Sequence, residues 1–239
     1  MAPDRASPNF SPRQRNCPEQ DISLLVIHYT GMESCSAALD RLCDPAEEVS
    51  AHYVIDEDGY LYQLVAEDQK AWHAGRSYWR GISDVNDVSI GIELVNPGHE
   101  WGYRPFTEKQ ISRLIQICNK MSETYQIPPW GIVGHSDIAP GRKNDPGELF
   151  PWSKLAFSGL GIWPNEIDYT ASLDPWADLA LIGYACPNDP KQGSKILVPQ
   201  TAEKDVITAF QRRFLPNCMS GVLDQRTLQR IHCIAANFC

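Results

Sequence analysis

The sequence predicts an α/β fold: a mixed central β-sheet flanked by helices, followed by a small C-terminal three-helix domain. Three observations predict it. Short β-rich apolar runs recur through the first part of the chain, two of them arranged as a hairpin. One long stretch between them carries apolar residues at helical spacing. Past Trp163-Pro164 the pattern changes to a stretch rich in Asp, Pro and Gly and then to short helical segments. A chain of 239 residues accommodates a larger domain with a small companion, divided here into 1–168 and 169–239.

Residues 1–20 form a polar, proline-containing N-terminal extension without the apolar centre of a signal peptide. As it stands the chain is therefore expected in the cytoplasm; a longer natural N-terminus would shift that expectation to the periplasm or the outer membrane. Ser23 to Tyr29 (SLLVIHY) is a continuous apolar run, the signature of a strand buried on both faces, and it carries His28 near its end. SAALDRLC follows as a short helix. In AHYVIDEDGYLYQLV two β-rich runs flank Asp56-Glu57-Asp58-Gly59, as in a hairpin. SIGIELV is a second buried strand, closed by the turn signal Asn96-Pro97-Gly98, with Glu93 inside it.

In TEKQISRLIQICNKMSETY, Thr107 and Gln110 form a capping box, and Ile111, Leu114, Ile115, Cys118 and Met121 follow helical spacing. Pro128-Pro129 ends that helix, and WGIVGH returns as a strand with His135 at its end. In the companion segment Val206, Ile207, Phe210 and Phe214 share one helical face. A second helix starts at Asp224 as N-cap and turns Leu228, Ile231 and Ala235 inward.

The formal net charge is −9, so the basic face of a nucleic-acid binder is missing, and anionic membrane is an equally poor partner. No apolar run approaches the roughly 20 residues of a membrane-spanning helix. The 8 cysteines include no CxxC pair, which argues against a cysteine zinc ribbon or a thioredoxin-like motif; their even number permits disulfides, and buried free thiols are the equal alternative. Oligomeric state is not legible.

Three segments carry candidate chemistry: VIHYT with His28, VGHSD with His135, and GRKNDPG with Lys143 and Asp145. Two imidazoles and a carboxylate would leave zinc an open position for water, the composition of a catalytic rather than a structural site. Taken singly, a strand-end histidine is more often a hydrogen-bonded structural residue. Glu93 strengthens the joint case, because an ionised carboxylate inside a buried strand is costly unless it has a partner, a raised pKa or a functional cleft.

The pieces LLVIHYTG, SAHYVIDEDG, KAWHAGRSYWRG, VSIGIELVN and GHSDIAPGRKNDPG, in that order, resemble the zinc amidases of the bacterial muramoyl-alanine type, relatives of phage T7 lysozyme and animal peptidoglycan recognition proteins. The resemblance spans Leu24 to about Trp163. It implies one zinc ion held by His28, His135 and Asp145, Glu93 as catalytic acid/base, and Lys143 as the basic residue beside the metal. It also implies substrate contacts from Tyr53, His73 and Arg76, and peptidoglycan or muropeptide as the substrate. The C-terminal segment resembles a three-helix peptidoglycan-binding module through AFQRRF and SGVLDQRT, with Ser220 where that family usually has Asp. Two alternatives stand beside this reading: a recognition protein that binds without cutting, and a cysteine peptidase using Cys35 or Cys118.

Overall fold

The computed structural model describes residues 5–14, 22–164, 170–186 and 202–238. Its strands are β1 (Phe10–Pro12), β2 (Leu24–Tyr29), β3 (Tyr53–Ile55), β4 (Leu61–Gln63), β5 (Gln69–Ala71), β6 (Ser89–Leu94) and β7 (Ile132–Gly134). Its helices are α1 (Cys35–Cys43), α2 (Gly98–Trp101), α3 (Glu108–Tyr125), α4 (His135–Ile138), α5 (Trp152–Phe157), α6 (Pro175–Ile182), α7 (Glu203–Phe214) and α8 (Gln225–Ala235).

The central sheet runs β4-β3-β6-β2-β7. Three of its pairings, β3 with β6, β6 with β2 and β2 with β7, are parallel; only the β3–β4 hairpin is antiparallel. Parallel strands are covered on both faces, which is why β2 and β6 are written as unbroken apolar runs. Period-2 alternation divides β2 between two cores. Leu25 and Ile27 join Ile90, Ile92, Leu114, Cys118 and Met121 on the α3 side. Leu24 and Val26 join Val133, Ile138, Leu179, Val206, Phe210, Ile231 and Ile234 on the other. The α3 capping box forms as expected, with Thr107 and Gln110 each bonding the other's backbone N–H.

The mixed sheet flanked by helices, with a helical C-terminal region, is the predicted fold. Three details differ. Strand β7 stops at Gly134, and His135 opens the short helix α4 rather than closing the strand. Residues 5–14 belong to the fold, since β1 pairs with β5, and Arg13 donates to the carbonyls of Glu67, Asn86, Asp87 and Ser89. On α8 the inward positions are Ile231, Ile234 and Ala235, while Leu228 is half-buried. The division expected near residue 168 lies outside the described residues. Helices α6, α7 and α8 pack against the sheet itself, in one core with β2 and β7.

A buried ion pair ties α7 to α4. Arg213 Nη1 donates to Asp137 Oδ2 at 2.7 Å, and Gly134 N–H donates to the same oxygen at 2.8 Å. Tyr184 donates its hydroxyl to Asp137 Oδ1 at 2.7 Å. Arg213 Nη2 also donates to Ile132 O, and its guanidinium lies over the Trp152 ring.

His52, one residue before β3, is fully buried and ties β3 to β6: Gly91 N–H donates to its Nδ1 at 3.0 Å, and its Nε2 faces Gln69 O at 3.1 Å. Burial pushes its pKa down to about 3, with nearby Arg13 adding to the shift against the bond to Gln69. The unfolded chain would titrate this histidine near its ordinary value of about 6.5. Below that pH the unfolded state binds a proton that the folded state refuses, so stability falls as pH drops. The expected slope from His52 is about 1.4 kcal/mol per pH unit between those two values. Urea unfolding of the metal-free chain at a series of pH values checks this; a flat profile between about pH 6 and pH 4 would contradict it.

Candidate active site

Strand pairing assembles the centre of the site. In the β2–β6 register His28 stands opposite Glu93, near the C-terminal ends of adjacent parallel strands. Ligand sites in open α/β sheets lie at these ends. His135 follows directly from β7, the neighbour of β2 on its other side. The loop after α4 returns Asp145, whose carbonyl accepts Ser136 N–H at 2.8 Å; the Asp145–Pro146 peptide is cis.

Three atoms converge there. His28 Nδ1 lies 2.9 Å from Asp145 Oδ2, His135 Nδ1 lies 3.0 Å from the same oxygen, and the two Nδ1 atoms are 3.0 Å apart. All three residues are nearly inaccessible, at 1%, 3% and 6% exposure for His28, His135 and Asp145. Burial by itself would raise the Asp145 pKa, but the adjoining imidazoles, His135 foremost, outweigh it and hold the carboxyl well below the usual range. Burial and then His135 push His28 down to about 4, against the opposing pull of Asp145. His135 Nε2 lies 3.1 Å from Ala74 O and 3.2 Å from Arg142 Nη2; with the proton on Nε2, where Ala74 O accepts it, Nδ1 presents a lone pair to the other two residues. Two imidazole nitrogens and a carboxylate oxygen this close form a donor set for a cation.

Glu93 adjoins the trio on the cleft wall. Burial, then the Asp145 charge, raises its pKa to about 8 against the pull of Lys143 and Arg41, and its Oε2 has no hydrogen-bond partner. The cleft measures about 330 Å³ and is lined by His28, His73, Glu93, His135, Lys143 and Asp145, all from the sequence-derived set. Tyr53 and Arg76 are not among its lining residues. Tyr53 shares a strand face with Ile55, so alternation turns its ring into the α3-side core, where its hydroxyl donates to Glu67. Arg76 is an exposed residue whose carbonyl accepts from Arg142.

Tyr29, Arg41, His99 and Arg142 also line the cleft, and none of them has a sequence-assigned role. Tyr29 and Arg142 lie inside the matched motifs LLVIHYTG and GHSDIAPGRKNDPG and could have been found there; His99 and Arg41 carry no local signal. His99 lies at the rim, with Nδ1 2.9 Å from the Tyr29 hydroxyl, its ring stacked on Tyr103, and Nε2 3.0 Å from Glu148. Arg142 donates to Ala74 O at 2.5 Å and to Arg76 O at 2.8 Å, which fixes its charge beside His135. The cysteine alternative fails on electrostatics. Burial raises the Cys35 thiol to about 12 and the Cys118 thiol further, the opposite of an activated nucleophile. Cys35, Cys43, Cys118 and Cys218 are free thiols, and Cys17 and Cys239 lie outside the described residues.

Residues 18–148 match the family described as N-acetylmuramoyl-L-alanine amidase. The amidase AmiD of Escherichia coli is 37% identical over 239 aligned residues, covering 90% of this chain and 83% of its own. Its structure in complex with the substrate anhydro-N-acetylmuramic acid-L-Ala-D-gamma-Glu-L-Lys superposes with a TM-score of 0.78 at 34% identity, over 94% of this chain and 92% of that one. AMPDH3 of Pseudomonas aeruginosa, in complex with an anhydromuramic pentapeptide, gives a TM-score of 0.79 at 30% identity, over 91% and 92% of the two chains. On this family match and these relatives, which span most of its length, the chain belongs to the N-acetylmuramoyl-L-alanine amidase family and is an amidase.

Proposed function

We propose that the cleft holds one zinc ion through His28, His135 and Asp145 and cuts the amide between N-acetylmuramic acid, or its 1,6-anhydro form, and the L-alanine of the stem peptide. The observation that carries this reading is the convergence of two imidazole Nδ1 atoms and a carboxylate oxygen, with about 3 Å between each pair, beside a buried carboxyl that has an unpartnered oxygen. Bound there, zinc supplies Lewis acidity for activating water and polarising the scissile carbonyl.

The chain's own groups do the rest. Glu93 takes the proton of the attacking water and delivers it to the departing alanine nitrogen. Its pKa of about 8 lies close to working pH, where proton transfer in both directions is efficient. Lys143 lines the same cleft and offsets the charge growing on the tetrahedral oxygen. His28 and Asp145 hold the donor face rigid. A binding-only recognition protein is disfavoured, since the relatives matching most of the chain are amidases.

The anhydro-muropeptides bound by both relatives support soluble, released fragments as a substrate form. Helices α6, α7 and α8 of the companion unit proposed at 169–239 brace the back of the sheet, a role supported by their share of the β2 and β7 core. Among the described residues no helix is long and apolar enough to cross a membrane. A cytoplasmic location would confine the enzyme to released fragments, whereas an envelope location would give it the sacculus.

The test is zinc content together with mass spectrometry of muropeptides and sacculi incubated with the chain, with and without a chelator. Chelator-sensitive release of an intact L-alanyl peptide is expected. Bound zinc with no cleavage would return the protein to the recognition class.

A further inference from the structure

The buried histidine His73 has no role in the chemistry above. His73 lies buried behind His28, with its Nδ1 3.1 Å from His28 Nε2 and its Nε2 3.2 Å from Ser89 Oγ. The row ends at Val85 O, 2.6 Å from Ser89 Oγ. A carbonyl oxygen only accepts, so the Ser89 hydroxyl proton is committed to it. Ser89 Oγ then accepts the Nε2–H of His73. A neutral imidazole with its proton on Nε2 presents a lone pair at Nδ1, and that lone pair accepts the Nε2–H of His28. What remains on His28 is a lone pair on Nδ1, the atom facing His135 and Asp145.

We propose that His73 and Ser89 are positioning residues that fix the tautomer and ring orientation of His28, so that its Nδ1 is held ready for the metal. The inference rests on the zinc reading above. It involves no change in protonation, only the choice of which nitrogen carries the proton. Metal-bound histidines generally donate their second N–H to an acceptor that sets orientation and raises ligand basicity. Here the acceptor is itself a histidine, which can serve only because the Ser89–Val85 bond settles its own tautomer.

A second observation supports the arrangement. Ser89, Gly91 and Glu93 alternate onto one face of β6. A Cβ at Gly91 would stand 2.5 Å from His73 Cγ and 2.6 Å from its Cδ2, so the missing side chain is the seat of the His73 ring. His73 is held from its other side by its backbone N–H, which donates to Asn86 Oδ1 at 3.1 Å. One strand thus provides the relay's anchor, the space for its ring and the acid/base.

The experiment uses the full chain and the substitutions His73→Phe, His73→Asn and Ser89→Ala, with folding checked by circular dichroism. Zinc affinity is measured by competition with a chromophoric chelator, and the His28 tautomer by imidazole nitrogen NMR shifts of the metal-free protein. His73→Phe is expected to weaken zinc binding about 10–100-fold and to mix the His28 tautomers. His73→Asn, whose amide oxygen takes the place of Nδ1, is expected to restore most of that affinity, a rescue that a purely packing role would not show. Ser89→Ala removes a single oxygen, keeps the fold and mixes the tautomers with a smaller loss of zinc, so the comparison holds even if the phenylalanine variant fails to fold. Equal zinc affinity and an unchanged His28 pattern in the variants would overturn the relay and leave the zinc amidase standing. A parent chain that does not bind zinc would instead overturn the metal reading and, with it, the positioning role.

Discussion

Glu93→Ala is expected to leave a folded, zinc-loaded chain whose kcat falls by about 10²–10⁴-fold, the usual contribution of a positioned acid/base. The division of labour is set by strand geometry. His28 and Glu93 are cross-strand partners, yet only His28 directs an atom into the converging trio, while Glu93 keeps an oxygen without a protein partner. His28→Ala and Asp145→Ala are therefore expected to lose zinc and turnover together, since each removes one of three donors and leaves the others without their nearest partner. Zinc content after dialysis, measured beside kcat on an anhydro-muropeptide, separates the two classes. Equal metal loss in all three variants would end the assignment of Glu93 to proton transfer. Glu93→Gln refines the result: it keeps the volume of the side chain in a fully covered strand and should lose turnover to a similar degree, because an amide cannot cycle a proton.

Arg213→Ala is expected to cost about 3–5 kcal/mol of folding stability, the range for breaking a buried ion pair from one side. Asp137 is fully buried, and without Arg213 its charge retains only the Gly134 N–H and the Tyr184 hydroxyl. The lost contacts include the bond to Ile132 O and the guanidinium face over Trp152, 4.1 Å from the ring centroid. Asp137 lies two residues from His135 on the same short helix, so the variant is also expected to bind zinc less tightly. Urea unfolding measures the first effect and chelator competition the second. A stability loss below about 1 kcal/mol, the range of an exposed pair, would show that α7 does not brace the His135 corner.

Residue pattern made the buried strands, the β3–β4 hairpin, the α3 capping box and the α8 N-cap legible, because each depends on periodicity or on a cap within a few residues. The motifs also brought forward His28, Glu93, His135, Lys143 and Asp145, which line one cleft. Tyr53 shows the limit of such reasoning. It sits in a matched segment, but the direction of its side chain follows from which face of β3 meets α3, and a short strand buried on both faces has no polar alternation to reveal that. His73 shows the same limit differently. The motif drew it toward substrate, whereas its ring nitrogens face His28 and Ser89, residues 45 and 16 positions away along the chain.

By itself, then, the sequence determined the α/β class and the locations of β2, β3, β4, β6, β7, α1, α3, α7 and α8, which are properties of composition and local spacing, while its resemblance to the muramoyl-alanine amidases supplied the set of residues able to hold a cation and move a proton. Tertiary structure alone decided the order β4-β3-β6-β2-β7, the packing of the C-terminal helices on the β2 face, and the exclusion of Tyr53 and Arg76 from the cleft. It also decided which nitrogen of His28 faces its partners, with His135 107 positions away. The physical reason is that metal-ligand geometry and tautomer choice are set by contacts between strands and loops remote in sequence, and such contacts exist only once parallel pairing has fixed the register.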